Sequence, residues 1–238
     1  KQVVGKFITE VSPNSDAYNQ ILYYTSQNAT QYNHSVNTSV FASLFAIMLD
    51  LPDVESIAIG CLLHDIGVSA LPAKLAHKSY EDMKPAEKEE YEEHTIIGLK
   101  LLEGKKIVGA DNVKSIVSQH HEKMDGTGYP LQLTKEKISL AARLCQIADR
   151  LDELTSIRYG KQLYSALDAL DQMAIENAES ETYDKDILDK IIAMFSAETR
   201  KQLPLDELKS SFETPVKMPA NEIDTEDLKR RKRRKRAS

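Results

Sequence analysis

Apolar positions recur along this chain at helical spacing, and no stretch alternates in the way a half-buried strand does. From Ser15 to about Ala29 the pattern is polar and amphipathic, with Tyr18, Ile21, Leu22 and Tyr23 available to one face. An apolar run from Val40 to Leu51 ends at Pro52-Asp53, and Asp53 is the expected N-cap of a helix over Val54 to Leu63. That helix is almost wholly apolar, so it belongs in the core, and it delivers His64 and Asp65 at its C-terminal end with Gly67 as a stop. Val68 to Lys84, punctuated by Pro72 and followed by Pro85, reads as irregular. Glu87 to Leu102 predicts a helix that is solvated at first, apolar from Ile96, and closed by Gly104. Asp111 or Asn112 is the expected cap of the next helix, which ends at His120 and His121. Ser139 to Leu154 predicts a buried helix carrying Asp149, and two more segments follow at Gln162 to Glu179 and Asp184 to Gln202. Pro204 breaks the pattern, Asp206 to Phe212 adds a short helical turn, and from Glu213 onward no apolar periodicity persists. The expectation is an all-α fold in three parts: a helical segment over 1–31, a main domain over 32–203, and a linker and basic tail over 204–238.

Composition narrows the picture. The 238 residues are enough to bury a real core. No apolar run of about 18 residues offers a membrane span, and no secretory signal opens the chain, which begins with Lys1 and reads as a piece of a longer protein. Cys61 and Cys145 both fall in apolar helical stretches, which predicts buried reduced thiols and a cytoplasmic setting. The net charge of -6 hides an asymmetry, because Lys229 to Arg236 is wholly basic and the rest of the chain is strongly acidic. An acidic body argues against a duplex-DNA binder, so an anionic substrate needs local positive charge, and a divalent metal supplies it. The basic tail reads as a solvated end, as an appended tag, or as a contact for anionic lipid or nucleic acid.

The chemistry concentrates in "QHHEKMDGTGYPLQL", Gln119 to Leu133, where two adjacent histidines precede a turn-forming glycine run. Glycines let the backbone approach a ligand, and Pro130 stiffens the exit. The alternative is a simple helix-connecting turn. Of six histidines, five (His34, His64, His94, His120, His121) stand at or near ends of apolar helices, and His77 in the Pro-flanked loop reads as a surface residue. Buried imidazoles without partners are costly, and helices converging at their ends would bring these together with Asp65 and Asp149. Mixed imidazole and carboxylate ligation with open positions suits iron, manganese, zinc or nickel rather than calcium or magnesium alone.

"HDIG" at His64 to Gly67, His94 in "EEHTIIG", "HHEKMDGTGYP" at His120 to Pro130 and "IADRLDELTS" from Ile147 together resemble the HD-GYP family. That family is the branch of HD-superfamily metal phosphohydrolases associated with cyclic di-GMP turnover, and the resemblance covers about Tyr32 to Tyr164. It implies an HD-type helical bundle with additional C-terminal helices, and two divalent transition metal ions, Fe or Mn with Zn or Ni as alternatives. By position it carries over a ligand set: His34, His64 and Asp149 on one ion, His94, His120 and His121 on the other, and Asp65 as the catalytic bridge. A carboxylate can bridge because it has two oxygens. The loop residues Asp125, Gly126, Gly128, Tyr129 and Pro130 are expected to wall the substrate groove, with Arg158 and Lys161 on phosphate. The implied activity is metal-dependent hydrolysis of a cyclic dinucleotide, cyclic di-GMP first, to linear dinucleotide or GMP. The resemblance also implies an upstream sensory or receiver domain and a homodimer.

Three departures matter. Val68 stands where the family's "HDIGK" has lysine, and losing a stabilising ammonium lowers turnover more than binding. Installing it as Val68→Lys is therefore expected to raise kcat, unless Val68 packs into the core. Thr30 stands where some members have a glutamate for a third metal, which favours two ions. The family's "RPYR"-like segment reads Arg158-Tyr159-Gly160-Lys161, keeping both cationic ends without the proline. Val68 motivates a different class of function, a slow or inactive module that binds metal and nucleotide for signalling. A hydrolase for a linear nucleotide is disfavoured by the glycine loop.

Overall fold

The computed structural model describes residues 29–156 and 164–194. The expected segment over 15–28, Arg158, Lys161, the helical continuation past residue 194 and the basic tail lie outside the described residues. Nine α-helices follow in order among the described residues: α1 (Ala29–Met48), α2 (Val54–Leu63), α3 (Ala73–Ala76), α4 (Pro85–Glu92), α5 (His94–Leu102), α6 (Ala110–Gln119), α7 (Leu140–Thr155), α8 (Ala166–Ser180) and α9 (Lys185–Met194). No strand occurs among them, in agreement with the all-α expectation. None is long and apolar enough to cross a membrane. α1 runs straight through the expected boundary at residue 31.

α1 and α2 pack on each other and on α7, while α6 lies against α2, α5 and α7. The larger core gathers Phe45, Ile57, Ile116, Leu144, Ile147, Leu151, Leu170, Met173, Leu188 and Ile191 around α7. A second core of Ile59, Leu63, Ile66, Leu102, Val113 and Val117 sits between α2, α5 and α6. Each fully buried Leu, Ile, Phe or Met side chain is worth roughly 1.5–3 kcal/mol, so these two clusters hold the helices without help from any ligand. Cys61 and Cys145 are free and buried in the larger core.

Helix ends depart from the sequence expectation in instructive ways. Asp53 does occupy the N-cap position of α2, but at φ 58 and ψ 37 its side chain makes no capping bond. Ser56 Oγ instead donates to the Asp53 carbonyl, and Asn112 Nδ2 donates to Ser56 Oγ. Asn112 is thus used for α2 rather than for α6, whose N-cap position is held by Gly109 at φ 62. The stretch read as irregular contains a 3-10 turn over Ile66–Ala70, the short α3 and a second 3-10 turn over Tyr80–Asp82. The single helix expected from Glu87 to Leu102 is broken at Glu93 into α4 and α5. That break places His94 at the start of a new helix. Ser139 caps α7 by accepting from the Ala142 amide.

Candidate metal centre

Five elements aim one or two side chains each at a common point: α1 His34, the end of α2 His64 and Asp65, the start of α5 His94, the end of α6 His120 and His121, and the middle of α7 Asp149. The structure brings all seven together. Six of them form two groups that share Asp65, one with His94, His120 and His121 and one with His34 and His64, and Asp149 lies beside the second. Within each group the donor atoms lie within 4.8 Å of one another. Asp65 Oδ1 is 3.3 Å from His94 Nε2 and 3.5 Å from His120 Nε2, while its Oδ2 is 3.5 Å from His64 Nε2. Asp149 Oδ1 lies 2.9 Å from His34 Nε2 and 3.7 Å from His64 Nε2. His77 is exposed, as expected.

The imidazoles are oriented from behind. Nδ1 of His64, His94 and His120 faces the carbonyl oxygen of Cys61 at 2.6 Å, Tyr91 at 2.7 Å and Ile116 at 3.1 Å. A carbonyl only accepts, so each Nδ1 carries the hydrogen and each Nε2 presents a lone pair to the centre. For His34 the same role falls to a carboxylate: Nδ1 donates to Asp152 Oδ2 at 2.7 Å. Asp152 is fully buried and is itself held by Asn37 Nδ2 at 2.8 Å and Ser156 Oγ at 2.5 Å. Sequence reading missed Asp152, although it stands three residues after Asp149 on one helix and therefore on the same side. Gln31 was also missed, and its Nε2 donates to Asp65 Oδ2 at 2.5 Å.

Burial pushes His64 and His121 below the ordinary imidazole range, and His94 down to about 4. For Asp65 burial alone would raise the pKa, but His64, His120 and His94 outweigh it and hold the carboxyl well below its usual range. Asp149 is lowered likewise, against burial, by His34 and His64. The centre thus sets neutral nitrogen lone pairs around buried anionic oxygens. Asp65 Oδ1 and Asp149 Oδ1 accept no hydrogen bond there. Buried anions without donors are expensive, and imidazole with carboxylate is the donor set of first-row transition ions. The residues present therefore fit divalent metals.

Removal of Asp152 gives a direct check on the orienting shell. Asp152→Ala should weaken ion binding through His34 by about 10–100-fold, the usual cost of losing such a partner. Competition with a chelator measures it, and unchanged affinity would deny Asp152 that role.

The glycine loop is clamped by Glu122, a third residue the sequence did not flag. Fully buried, Glu122 accepts from the Leu131 amide at 2.6 Å and the Leu133 amide at 2.7 Å, while Gln146 Nε2 donates to its carbonyl at 2.7 Å. Gly128 fits only as glycine, since a Cβ there would lie 2.4 Å from the Lys123 nitrogen and 2.5 Å from both Glu122 Cα and the His121 oxygen. Tyr129, joined to Pro130 by a cis peptide, lays its ring on His121 at 4.6 Å between centroids.

A cleft of about 860 Å³ opens over the centre, within the usual size range for small-molecule sites. Gly128 and Tyr129 line it, with His34, Asp65, His120, His121 and Asp149. Of the expected loop wall, Gly128 and Tyr129 line the cleft with Thr127, while Asp125, Gly126 and Pro130 stand back from it. Asp125 is exposed and spends Oδ1 on the Thr127 amide and hydroxyl, both at 2.8 Å, so it builds the turn. Gly126 supplies the positive φ of 82 that the turn requires. Three cations reach the cleft. Lys78 is engaged by Glu87 at 2.5 Å, and Arg150 is held by Glu176 at 2.6 Å and by Glu153 at 3.1 Å. Lys123 has no partner among the described residues.

Val68 is 4% exposed, and its amide donates to the Asp65 carbonyl at 2.9 Å. This burial reverses the sign of the effect expected from sequence. Val68→Lys should overpack the site and bury an ammonium, costing about 2 kcal/mol and roughly 4–8 °C in Tm, with no gain in kcat. A thermal scan beside a turnover assay decides it, and a stable variant with raised kcat would restore the lysine argument.

A family model described as HD domain matches residues 17–187. Among curated relatives, a cyclic di-GMP phosphodiesterase of Pseudomonas aeruginosa is 37% identical over 145 residues, 60% of this chain and 34% of that protein. A 3′3′-cGAMP-specific phosphodiesterase of Vibrio cholerae is 34% identical over 96 residues, 40% of this chain and 18% of that protein. The matches span between 18% and 42% of the length of the curated relatives. Among solved structures, the HD domain of a Listeria monocytogenes phosphodiesterase in complex with cyclic-di-AMP superposes with a TM-score of 0.57 at 13% identity, covering 81% of this chain and 100% of that one. The HDG"Y"P protein of Bdellovibrio bacteriovorus gives 0.58 at 22% identity, covering 80% and 60%. Those two likenesses speak for the fold, and the family match, which takes in all seven residues that build the centre, speaks for the lineage: the chain belongs to the HD domain family.

Proposed function

We infer that this chain is a metal-dependent phosphodiesterase acting on a cyclic dinucleotide, cyclic di-GMP in the first place, and releasing linear dinucleotide or GMP. The observation that carries the reading is the pair of buried, donorless carboxylate oxygens of Asp65 and Asp149 ringed by pre-oriented imidazoles, at the floor of an open cleft. Relatives named as cyclic di-GMP phosphodiesterases support the substrate class.

His34, His64 and Asp149 would hold one ion, His94, His120 and His121 the other, and Asp65 both. Ions bound there supply Lewis-acid stabilisation of the phosphodiester and activate water. The chain's own residues do the positioning. Asp152 and three backbone carbonyls fix the imidazole tautomers, Gln31 steadies Asp65, and Glu122 holds the glycine loop against the ligands. Lys123, without a partner among the described residues, would be the phosphate contact that compensates for Val68, ahead of the engaged Lys78. The donor set suits iron, manganese, zinc or nickel, of which the family resemblance favours iron or manganese, and the two buried free thiols suit a cytoplasmic setting.

The test is reconstitution. Chelator-stripped protein should be silent towards cyclic di-GMP, and Mn²⁺ or Fe²⁺ should restore release of linear dinucleotide or GMP. Fully metallated protein that leaves cyclic di-GMP intact would refute the reading.

A further inference from the structure

One wall of the cleft is built from side chains outside the ligand set. Tyr80, from the 3-10 turn before α4, is 37% exposed and lines the cleft. Its ring is within 19° of parallel to Tyr129, 6.4 Å away between centroids, and Tyr129 in turn lies on His121. The Tyr80 hydroxyl donates to Glu92 Oε1 at 2.5 Å, and Lys88 Nζ stands 4.6 Å from the ring centre. Glu92 and Tyr91 also face the cleft. Two ring spacings separate Tyr80 from His121. That separation is short enough for a planar group at Tyr80 and a phosphate at the ligand cluster to come from one small molecule.

The edge of this wall has a definite chemical preference. A carboxylate offers about four acceptor sites and no donor, so Glu92 keeps acceptor capacity after taking the Tyr80 hydroxyl. Guanine presents two adjacent donors on its Watson–Crick edge, N1–H and the N2 amino group. Adenine presents an unprotonated N1 acceptor at the same place. Two parallel N–H···O bonds therefore form with guanine, whereas adenine sets one lone pair against another. Aromatic faces bind any base by stacking, and the carboxylate makes the choice.

We propose that Tyr80 and Glu92 form a base subsite in the cleft and that Glu92 makes it specific for guanine. The proposal rests on the cyclic dinucleotide reading and adds which base is recognised. A single guanine suffices, so cyclic di-GMP and the mixed guanine–adenine cyclic dinucleotide should both be preferred to cyclic di-AMP.

The test compares kcat/KM for these three substrates, and Kd for their non-hydrolysable phosphorothioate analogues, in metal-loaded wild type, Glu92→Gln and Tyr80→Ala. Wild type should favour cyclic di-GMP over cyclic di-AMP by about 10-fold or more, the discrimination a bidentate pair gives. Glu92→Gln should lose most of that ratio by weakening the guanine substrates, mainly in KM and Kd. Tyr80→Ala should weaken all three alike, by roughly 5- to 100-fold. A Glu92→Gln effect equal on guanine and adenine substrates would reduce Glu92 to a prop for Tyr80 and overturn the proposal. Equal turnover of all three by wild type would overturn it while leaving the phosphodiesterase reading intact. Failure to bind or hydrolyse any of them would end both.

Discussion

Asp65→Ala should empty the centre of both ions and abolish turnover. Asp65 is the one residue common to the two donor groups, with Oδ1 towards His94 and His120 and Oδ2 towards His64. Among the described residues no other carboxylate belongs to both groups. Loss of a bridging anion removes charge as well as a ligand, and the expected fall in rate is at least the 10²–10³-fold typical of one preorganised electrostatic group. The fold should survive, because the cores around α7 and between α2, α5 and α6 are apolar and complete without metal, unlike a zinc finger. Elemental analysis, circular dichroism and turnover on the same sample check this. A variant that keeps two ions per chain would remove Asp65 from the bridging position.

Gly67→Ala should produce the largest structural effect of a methyl added at any of the described glycines. A Cβ at Gly67 would lie 1.9 Å from the His94 carbonyl oxygen, 2.8 Å from the carbonyl carbon behind it and 2.7 Å from the Gly98 nitrogen. All three are backbone atoms, so no rotamer change relieves the contact and α5 must move off the turn that follows Asp65. That shift separates His94 from Asp65, now 3.3 Å apart. The expected cost is about 3 kcal/mol or more in stability, together with weaker binding of the ion held by His94, His120 and His121. Denaturant unfolding of the metal-free protein isolates the first effect, and metal competition the second. An unchanged unfolding midpoint would mean that the two backbones are not packed this closely.

The same glycine illustrates what a sequence can and cannot disclose. Gly67 reads naturally as a helix stop, yet it has no positive φ and lies inside a 3-10 turn. Its smallness serves a contact with a helix almost thirty residues away, which local pattern cannot register. The seven candidate ligands were legible because each sits in a short motif whose chemistry needs that residue type. Asp152 and Glu122 sit among ordinary helix and loop acids, and only tertiary partners, His34 for one and the Leu131 and Leu133 amides for the other, reveal their roles. Helix caps failed for a related reason. Asp53 and Asn112 are good cappers by type, but Asn112 finds a better partner in Ser56 of a neighbouring helix. Tyr80 was hidden because a Pro-punctuated stretch gives no periodicity from which to infer a face, and Glu92 because it is one of several acids in the solvated first half of a predicted helix.

The central claim is a centre in which two ions share one carboxylate, and a Mn²⁺ titration of metal-free protein followed by electron paramagnetic resonance tests it most directly. Sharing Asp65 predicts uptake of two ions per chain, with the sharp hyperfine pattern of isolated Mn²⁺ giving way to the broadened spectrum of an exchange-coupled pair as the second binds. Saturation at one ion, or two ions that keep isolated spectra, would contradict it.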